Sequence, residues 1–329
     1  MAAAIAMLLL GTGPKPKKML AHSTLRKRTM KNNYLKTRIT VCSLAACSGA
    51  FAADGLTLNV GGDYTSGTYG GTDRTTITSI PLSAKYRTGP VTFRASVSWL
   101  SVTGTGAVIP SGLGGIGHEG GSGASGGGGG GSVGVFGCAA DNRRGARKPE
   151  DNGPCATTSA GAAAVATTRS TEQGFGDIVA AAVFHAIDTK GLLVDITGKI
   201  KFATASDTKG LGSGKNDYAL QVEADKAFGR AYINGGIGHK WLGDPVGISL
   251  RNVWYGSIGG GFKPTADTTV GMSYDYGQAA RSGGTAGQEV SLYASQRLTK
   301  NIKLNGSVFQ GLSNGSPDWG VGIGLAYNF

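Results

Sequence analysis

The chain has 329 residues, 40% of them hydrophobic and only 16% charged, which is too apolar for a disordered chain and sparsely charged for a cytosolic globule. Glycine supplies 58 residues, about two and a half times the average share, without the Gly-X-Y period of collagen. The formal charge of +12 points first to nucleic acid, but residues 1–52 hold nine of the 32 Lys and Arg and no Asp or Glu, leaving 23 against 20 beyond. The body is nearly neutral, so no nucleic-acid partner is expected.

The basic start reads as a leader. From Met30, Lys31, Lys36 and Arg38 form a positive n-region, Ile39 to Ala46 an apolar h-region, and Ala50-Phe51-Ala52 fits the small-x-small cleavage rule. Residues 30–52 are therefore expected to be a signal peptide, with a mature chain from Ala53. The rival is Leu44-Ala45-Ala46-Cys47, which resembles the lipobox of bacterial lipoproteins. Residues 1–29 read as an extension upstream of the true start. Cys42 and Cys47 fall in the leader, so Cys138 and Cys155 remain, separated by sixteen residues. An exported chain with one such pair predicts a disulfide; zinc would need two further ligands.

From Leu56 to Phe329 the dominant signal is period two, the mark of strands with unlike faces. Leu192, Val194, Ile196, Ile200 and Phe202 alternate with Asp195, Thr197, Lys199 and Lys201. Twelve such segments are expected as strands, at 56–65, 78–87, 91–102, 175–187, 192–203, 216–226, 230–241, 252–262, 268–277, 289–299, 302–312 and 318–329. Most have the length of a tilted membrane-spanning strand. No run of about eighteen apolar residues offers a spanning helix.

The same alternation would suit a soluble β-sandwich. Three features favour a barrel. Short turns alternate with longer loops at 66–77, 103–174, 204–215, 242–251, 278–288 and 313–317, as short periplasmic turns and long outer loops do. Aromatic residues stand near the ends of apolar rows, among them Tyr86, Trp99, Trp241, Trp254, Tyr276, Trp319 and Tyr327, where two interfacial girdles would lie. The strand count is even, and the last strand ends on Phe329, which resembles the terminal signal read by the barrel assembly machinery of bacterial outer membranes. The expected fold is all-β: a transmembrane antiparallel up-and-down barrel of about twelve strands over residues 53–329, with one long Gly-rich extracellular loop at 103–174.

Within this barrel, Gly174-Phe175-Gly176-Asp177 opens a strand and Lys199-Ile200-Lys201-Phe202 closes the next. The run Thr208 to Asp217 bridges to a third that ends Ala227-Phe228-Gly229. This stretch of about 70 residues resembles the outer-membrane transporter family linked with meta-pathway phenol degradation. A Pro commonly follows the second strand in that family, where this chain has Ala203. The resemblance implies uptake of aromatic or other hydrophobic small molecules.

Motifs of other classes fail on context. Gly112-Leu113-Gly114-Gly115-Ile116-Gly117 matches the dinucleotide pattern by letter but lies in no strand-to-helix unit. Gly214-Lys215 lacks the Ser or Thr of a phosphate loop. An outer-membrane lipid hydrolase would place Ser and His on the lipid face. His239 has that phase, but position 241 is Trp and no carboxylate shares its row, so a girdle histidine is the simpler reading. His185 and His118 cannot be argued into one metal site, and neither metal nor cofactor is expected.

The wet face then carries whatever selectivity a channel has. The candidates are Arg94, Asp177, His185, Asp195, Lys199, Lys201, Glu223, Asp275, Arg297 and Lys303. Depending on register, Asp195 stands opposite His185 or Lys201 opposite Asp177; such pairs either brace the barrel or set its selectivity. The expected protein is an outer-membrane channel for passive uptake of small solutes, surrounded by outer-membrane lipids. A structural or adhesive surface barrel using the long loop is the alternative.

Overall fold

The computed structural model describes residues 55–69, 71, 73–105, 108–111, 113, 134–137, 169–245 and 248–329. The leader, His118, the pair Cys138 and Cys155 and most of the Gly-rich loop lie outside the described residues. The chain divides into two units, Met1–Ser48 and Gly49–Phe329, and every described residue belongs to the second.

Among the described residues there are strands and no helix. In chain order they are β1 (Gly55–Gly67), β2 (Thr75–Thr88), β3 (Val91–Gly104), β4 (Val108–Ser111), β5 (Gly134–Gly137), β6 (Ser170–Phe175), β7 (Ile178–Asp188) and β8 (Leu192–Phe202). They continue with β9 (Asp217–Phe228), β10 (Ala231–Trp241), β11 (Val253–Phe262), β12 (Thr268–Gly277), β13 (Gly287–Arg297), β14 (Ile302–Gly311) and β15 (Trp319–Asn328). β4 and β5 pair with each other; the rest join one antiparallel sheet in which β1 pairs with β15 and β2 with both β1 and β3. The sheet is therefore closed. β6 and β7 share one place, both pairing with β3, so the barrel has twelve staves. Closure removes the free edges that a membrane does not tolerate.

Eleven of the twelve expected segments coincide with one strand each to within a few residues. The fourth, expected as one strand over 175–187, is broken at Gly176 and Asp177, where the Gly176 amide donates to the Ser98 carbonyl (2.8 Å). The long loop is also shorter than 103–174. β3 and β6 go on pairing out to Gly104 and Ser170, beyond the point where apolar alternation fades.

The burial pattern decides between sandwich and membrane barrel. Ile258 is 67% exposed on the outer surface, while Lys201 inside is 0% exposed. Leu58, Leu82, Phe93, Ile233, Met272, Leu292 and Ile323 are likewise exposed, and Thr92, Asp217, Gln221, Glu289 and Ser295 are buried. This inverts a soluble protein, and apolar surface is stable there only against lipid. Trp241, Trp254, Tyr276 and Trp319 ring the extracellular ends of the strands and Tyr86, Phe262 and Tyr327 the periplasmic ends, all exposed to the outside. The chain is a bacterial outer-membrane β-barrel.

Glycine makes the inner wall possible. Tyr232 lies directly across from Gly261, Tyr255 from Gly238, Tyr293 from Gly271 and Phe309 from Gly320. Each ring covers its glycine so closely that a Cβ there would collide with ring atoms. The Tyr232 and Tyr293 hydroxyls then meet at 2.8 Å. The tight β9–β10 turn uses glycine for another reason: Gly229 has φ +64°, which a two-residue hairpin of type II′ requires at its first central position.

Candidate functional site

The densest polar cluster sits inside the extracellular end of β7, β8 and β9. Lys201 follows Asp195, Thr197 and Lys199 on the inward row of β8, and its ammonium is enclosed by three acceptors. It lies 3.3 Å from Asp177 Oδ2 and 2.5 Å from Asp217 Oδ2, and donates to Ser213 Oγ (2.8 Å). One hydrogen bond and two carboxylate charges thus compensate the ammonium, as a buried cation requires.

The second oxygens of the two carboxylates tie down loops. Asp177 Oδ1 accepts from the Thr204 and Ala205 amides (3.0 and 2.9 Å), and Asp217 Oδ1 from the Gly243 amide (2.9 Å). The β8–β9 loop is thereby folded against the inner wall. A Cβ at Gly212 would come within 2.7 Å of Ala205 Cβ and 2.8 Å of Asp177 Oδ2. Leu211 of the same loop is buried with Tyr69, Ile77, Leu100 and Val102, forming a small apolar nest at the mouth of a polar lumen.

A second cluster stands near the periplasmic end. Asp195 is directly across from His185, and its Oδ1 lies 2.7 Å from His185 Nδ1. His185 Nε2 is 2.9 Å from Thr92 Oγ1 on β3. The three side chains link β3, β7 and β8, and a bulge between His185 and Ile187 sets the register that joins them. Of the two registers left open by the sequence, the barrel takes the one that sets Asp195 opposite His185. The residue across from Lys201 is Val179, yet its long side chain still reaches Asp177.

The remaining candidates are spread along the same inward rows. Lys199 lies in the field of Glu223 and Arg94. Asp275 is across from Glu289, and Ser273 donates to Asp275 Oδ2 (3.1 Å). Arg297 is across from Lys303 and 3.6 Å from Asp267. His239 points outward, edge-on to Trp241 and Trp254 with centroids 4.7 and 4.8 Å away, as a girdle residue would. A cleft of about 300 Å³ at the extracellular rim is lined by Arg251, Asn252, Tyr276 and Gln278 among others, and none of the ten candidates borders it.

Sequence reasoning missed Asp217, Thr92, Glu289 and Lys240. The parity that selected Glu223 leads back along β9 through Gln221 and Ala219 to Asp217. Thr92 shares the row of Arg94, and Lys240 shares that of Tyr232 and Asn234, its ammonium lying 4.6 Å above the Tyr255 ring. Glu289 was the first residue of an expected segment whose strand begins two residues earlier.

No family model matches the chain, and no curated protein matches it in sequence. Its barrel is similar to the COG4313 outer membrane channel from Pseudomonas putida F1, with a TM-score of 0.54 and 12% identity over 86% of this chain and 98% of that one. Two other solved structures are more distant. The KdgM porin has a TM-score of 0.46 at 9% identity over 83% and 99% of the two chains. The CymD monoaromatic hydrocarbon channel has 0.41 at 12% identity over 84% and 88%. At 12% identity the likeness to the COG4313 channel bears on the barrel fold alone.

Proposed function

We propose that the barrel is a channel for passive uptake of small solutes across the outer membrane, with aromatic or hydrophobic compounds as the cargo. The observation that carries the reading is a largely polar inner wall inside a lipid-facing shell, with only a small apolar nest at its mouth. Asp217, Gln221 and Glu223 alternate along β9 with the exposed Tyr218, Leu220 and Val222. A polar lumen in an apolar shell suits permeation. Arg94, Asp177, His185, Asp195, Lys199, Lys201, Glu223, Asp275, Arg297 and Lys303 are the wall charges along that path. The cargo class rests on the resemblance of residues 174–243 to the phenol-degradation transporters, and the similarity to a solved outer membrane channel agrees with the general role.

Exposed Phe329 meets Tyr327 edge-on (centroids 4.8 Å apart) while its amide donates to the Leu56 carbonyl (3.0 Å). That fixes the terminal aromatic ring at the closing seam, where the assembly machinery would read it. Single-channel recording in planar bilayers tests the reading, followed by uptake of phenolic and alkyl solutes in cells with and without the protein. Steady unitary conductance with faster uptake is expected. Absence of both, even after deletion of residues 106–168, would move the protein to the structural or adhesive reading.

A further inference from the structure

The cleft of about 300 Å³ at the extracellular rim lies on the outer face of the barrel. It is lined by Arg251, Asn252, Tyr276 and Gln278, with Ala286 and other small residues of the β12–β13 loop. Asp275 is buried in the lumen, so strand alternation turns the exposed Tyr276 outward, and Gln278 follows it on the same outward row. The ladder between β11 and β12 continues past the strand ends: the Gln278 amide donates to the Trp254 carbonyl (3.0 Å) and the Arg251 amide to the Ala280 carbonyl (2.7 Å). The cleft therefore stands directly beyond the girdle residues Trp254 and Tyr276, at the depth of lipid headgroups.

Its polar groups are sorted so that donors are left over. Gln278 Oε1 accepts from the Trp254 amide (3.0 Å), and Asn252 Oδ1 accepts from the Leu242 amide (3.2 Å). A backbone amide can only donate, so each side-chain oxygen is committed to the chain and each NH2 group is not. Arg251 Nη2 donates to the carbonyls of Ala279 (3.1 Å) and Arg281 (3.3 Å). Those two bonds anchor the guanidinium and leave its Nε and Nη1 without an acceptor among the described residues. Among the described residues no carboxylate lines the cleft.

We propose that this cleft binds the phosphate of an outer-leaflet lipid headgroup, with Arg251, Asn252 and Gln278 donating to its oxygens. Phosphate is an acceptor-rich anion, and a guanidinium already held in place offers it charge-assisted hydrogen bonds with little further ordering. A cation would meet the positive Arg251 and no carboxylate. Position selects a lipid as the source of the phosphate. Ile258 and Met272, exposed on the outward rows of β11 and β12 toward the membrane centre, give the acyl chains of the same molecule an apolar surface. The site is on the outside of the barrel and goes beyond the channel reading, since it does not depend on what crosses the lumen.

The test is native mass spectrometry of the detergent-solubilised barrel titrated with diphosphorylated lipid A, with the same lipid stripped of its phosphates, and with inorganic phosphate as competitor. The phosphorylated lipid is expected to bind at least about tenfold more tightly than the stripped one, by an affinity that falls as salt rises. Arg251→Gln should remove most of that preference. Gln278→Glu is a second variant should the first not fold: it keeps an acceptor for the Trp254 amide, leaves Arg251 on its carbonyls and sets a negative charge in the cleft, so it should weaken the phosphorylated lipid in the same direction. Lys263→Gln, at an exposed side chain in the turn at the other end of β11, should leave binding unchanged. Equal binding of the two lipids overturns the proposal, as does a preference that survives in either folded cleft variant or is lost equally in Lys263→Gln. Displacement of the lipid by an equal concentration of inorganic phosphate would also overturn it, because the cleft would then be a site for the free anion.

Discussion

Lys201 reaches Asp177 at 3.3 Å although the residue across from it on β7 is Val179. The ion pair is diagonal, and it is possible because Asp177 sits at the break between β6 and β7, where its carboxylate is free to turn toward the β8–β9 loop. With Asp217 on the other side, a single ammonium neutralises part of two buried carboxylates. Lys201→Met should therefore cost about 3–5 kcal/mol, because it leaves buried charge without compensation. Heat-modifiable gel migration would show it as a lower unfolding temperature. Adding Asp177→Asn and Asp217→Asn to Lys201→Met should recover much of the loss. A single Lys201→Met variant as heat-resistant as the parent would show that the cluster does not brace the barrel.

The pairs of aromatic ring and glycine make a sharper packing prediction. Gly261→Ala and Gly271→Ala each place a methyl group against the hydroxyl end of Tyr232 or Tyr293 and should cost about 1–3 kcal/mol as overpacking. Gly62→Ala is the control, since nothing lies within 4 Å of its would-be Cβ, and it should be silent in the same gel assay. Equal behaviour of all three would mean that the rings are not seated as described.

Tyr69 caps the extracellular mouth with φ +49° and donates to or accepts from Thr65 Oγ1 at 3.1 Å. Burial pushes its hydroxyl from 10.0 up to about 12, with the charges of Glu289 and Asp318 adding to the effect. A folded-state value raised above the unfolded one means that the stabilisation is complete below pH 10 and is lost as pH rises through about 12. The parent should thus lose heat resistance across that window by more than Tyr69→Phe does. Ultraviolet absorbance should show one fewer tyrosine ionising late in the variant. Identical titrations would place Tyr69 in water.

Much of the barrel was legible because alternation is a property of single strands. The row Asp195, Thr197, Lys199 and Lys201 needs no knowledge of neighbours to be assigned to one face. What joins the rows was not legible. The diagonal from Lys201 to Asp177 depends on side-chain reach, and Asp195 meets His185 through a bulge that no residue type announces. The interruption at Gly176 and Asp177 was hidden because the flanking residues keep the strand pattern, while the break itself is set by the loop amides of Thr204 and Ala205 that claim Asp177. The sequence marked one Gly-rich loop but not the task of the strand glycines Gly238, Gly261 and Gly271, which leave room for facing tyrosines.

Thr92, His185 and Asp195 have the hydroxyl, imidazole and carboxylate order of a hydrolase triad, with distances of 2.9 and 2.7 Å. Geometry alone would make Thr92 a nucleophile with His185 as its base. Exposure argues otherwise: Thr92 is 0% exposed, and the trio is spread over three adjacent strands that it holds in register. As a brace, its loss should be felt in stability. Thr92→Val removes the hydroxyl at nearly constant volume and leaves His185 Nε2 without this partner, which should cost about 1–3 kcal/mol; Thr92→Ser should cost less. As a nucleophile, Thr92 would instead react with a fluorophosphonate probe and support turnover of short-chain esters. The expected outcome is a lowered unfolding temperature in Thr92→Val, with no labelling and no esterase activity in the parent. Covalent labelling that is lost in Thr92→Val would convert the brace into an active site.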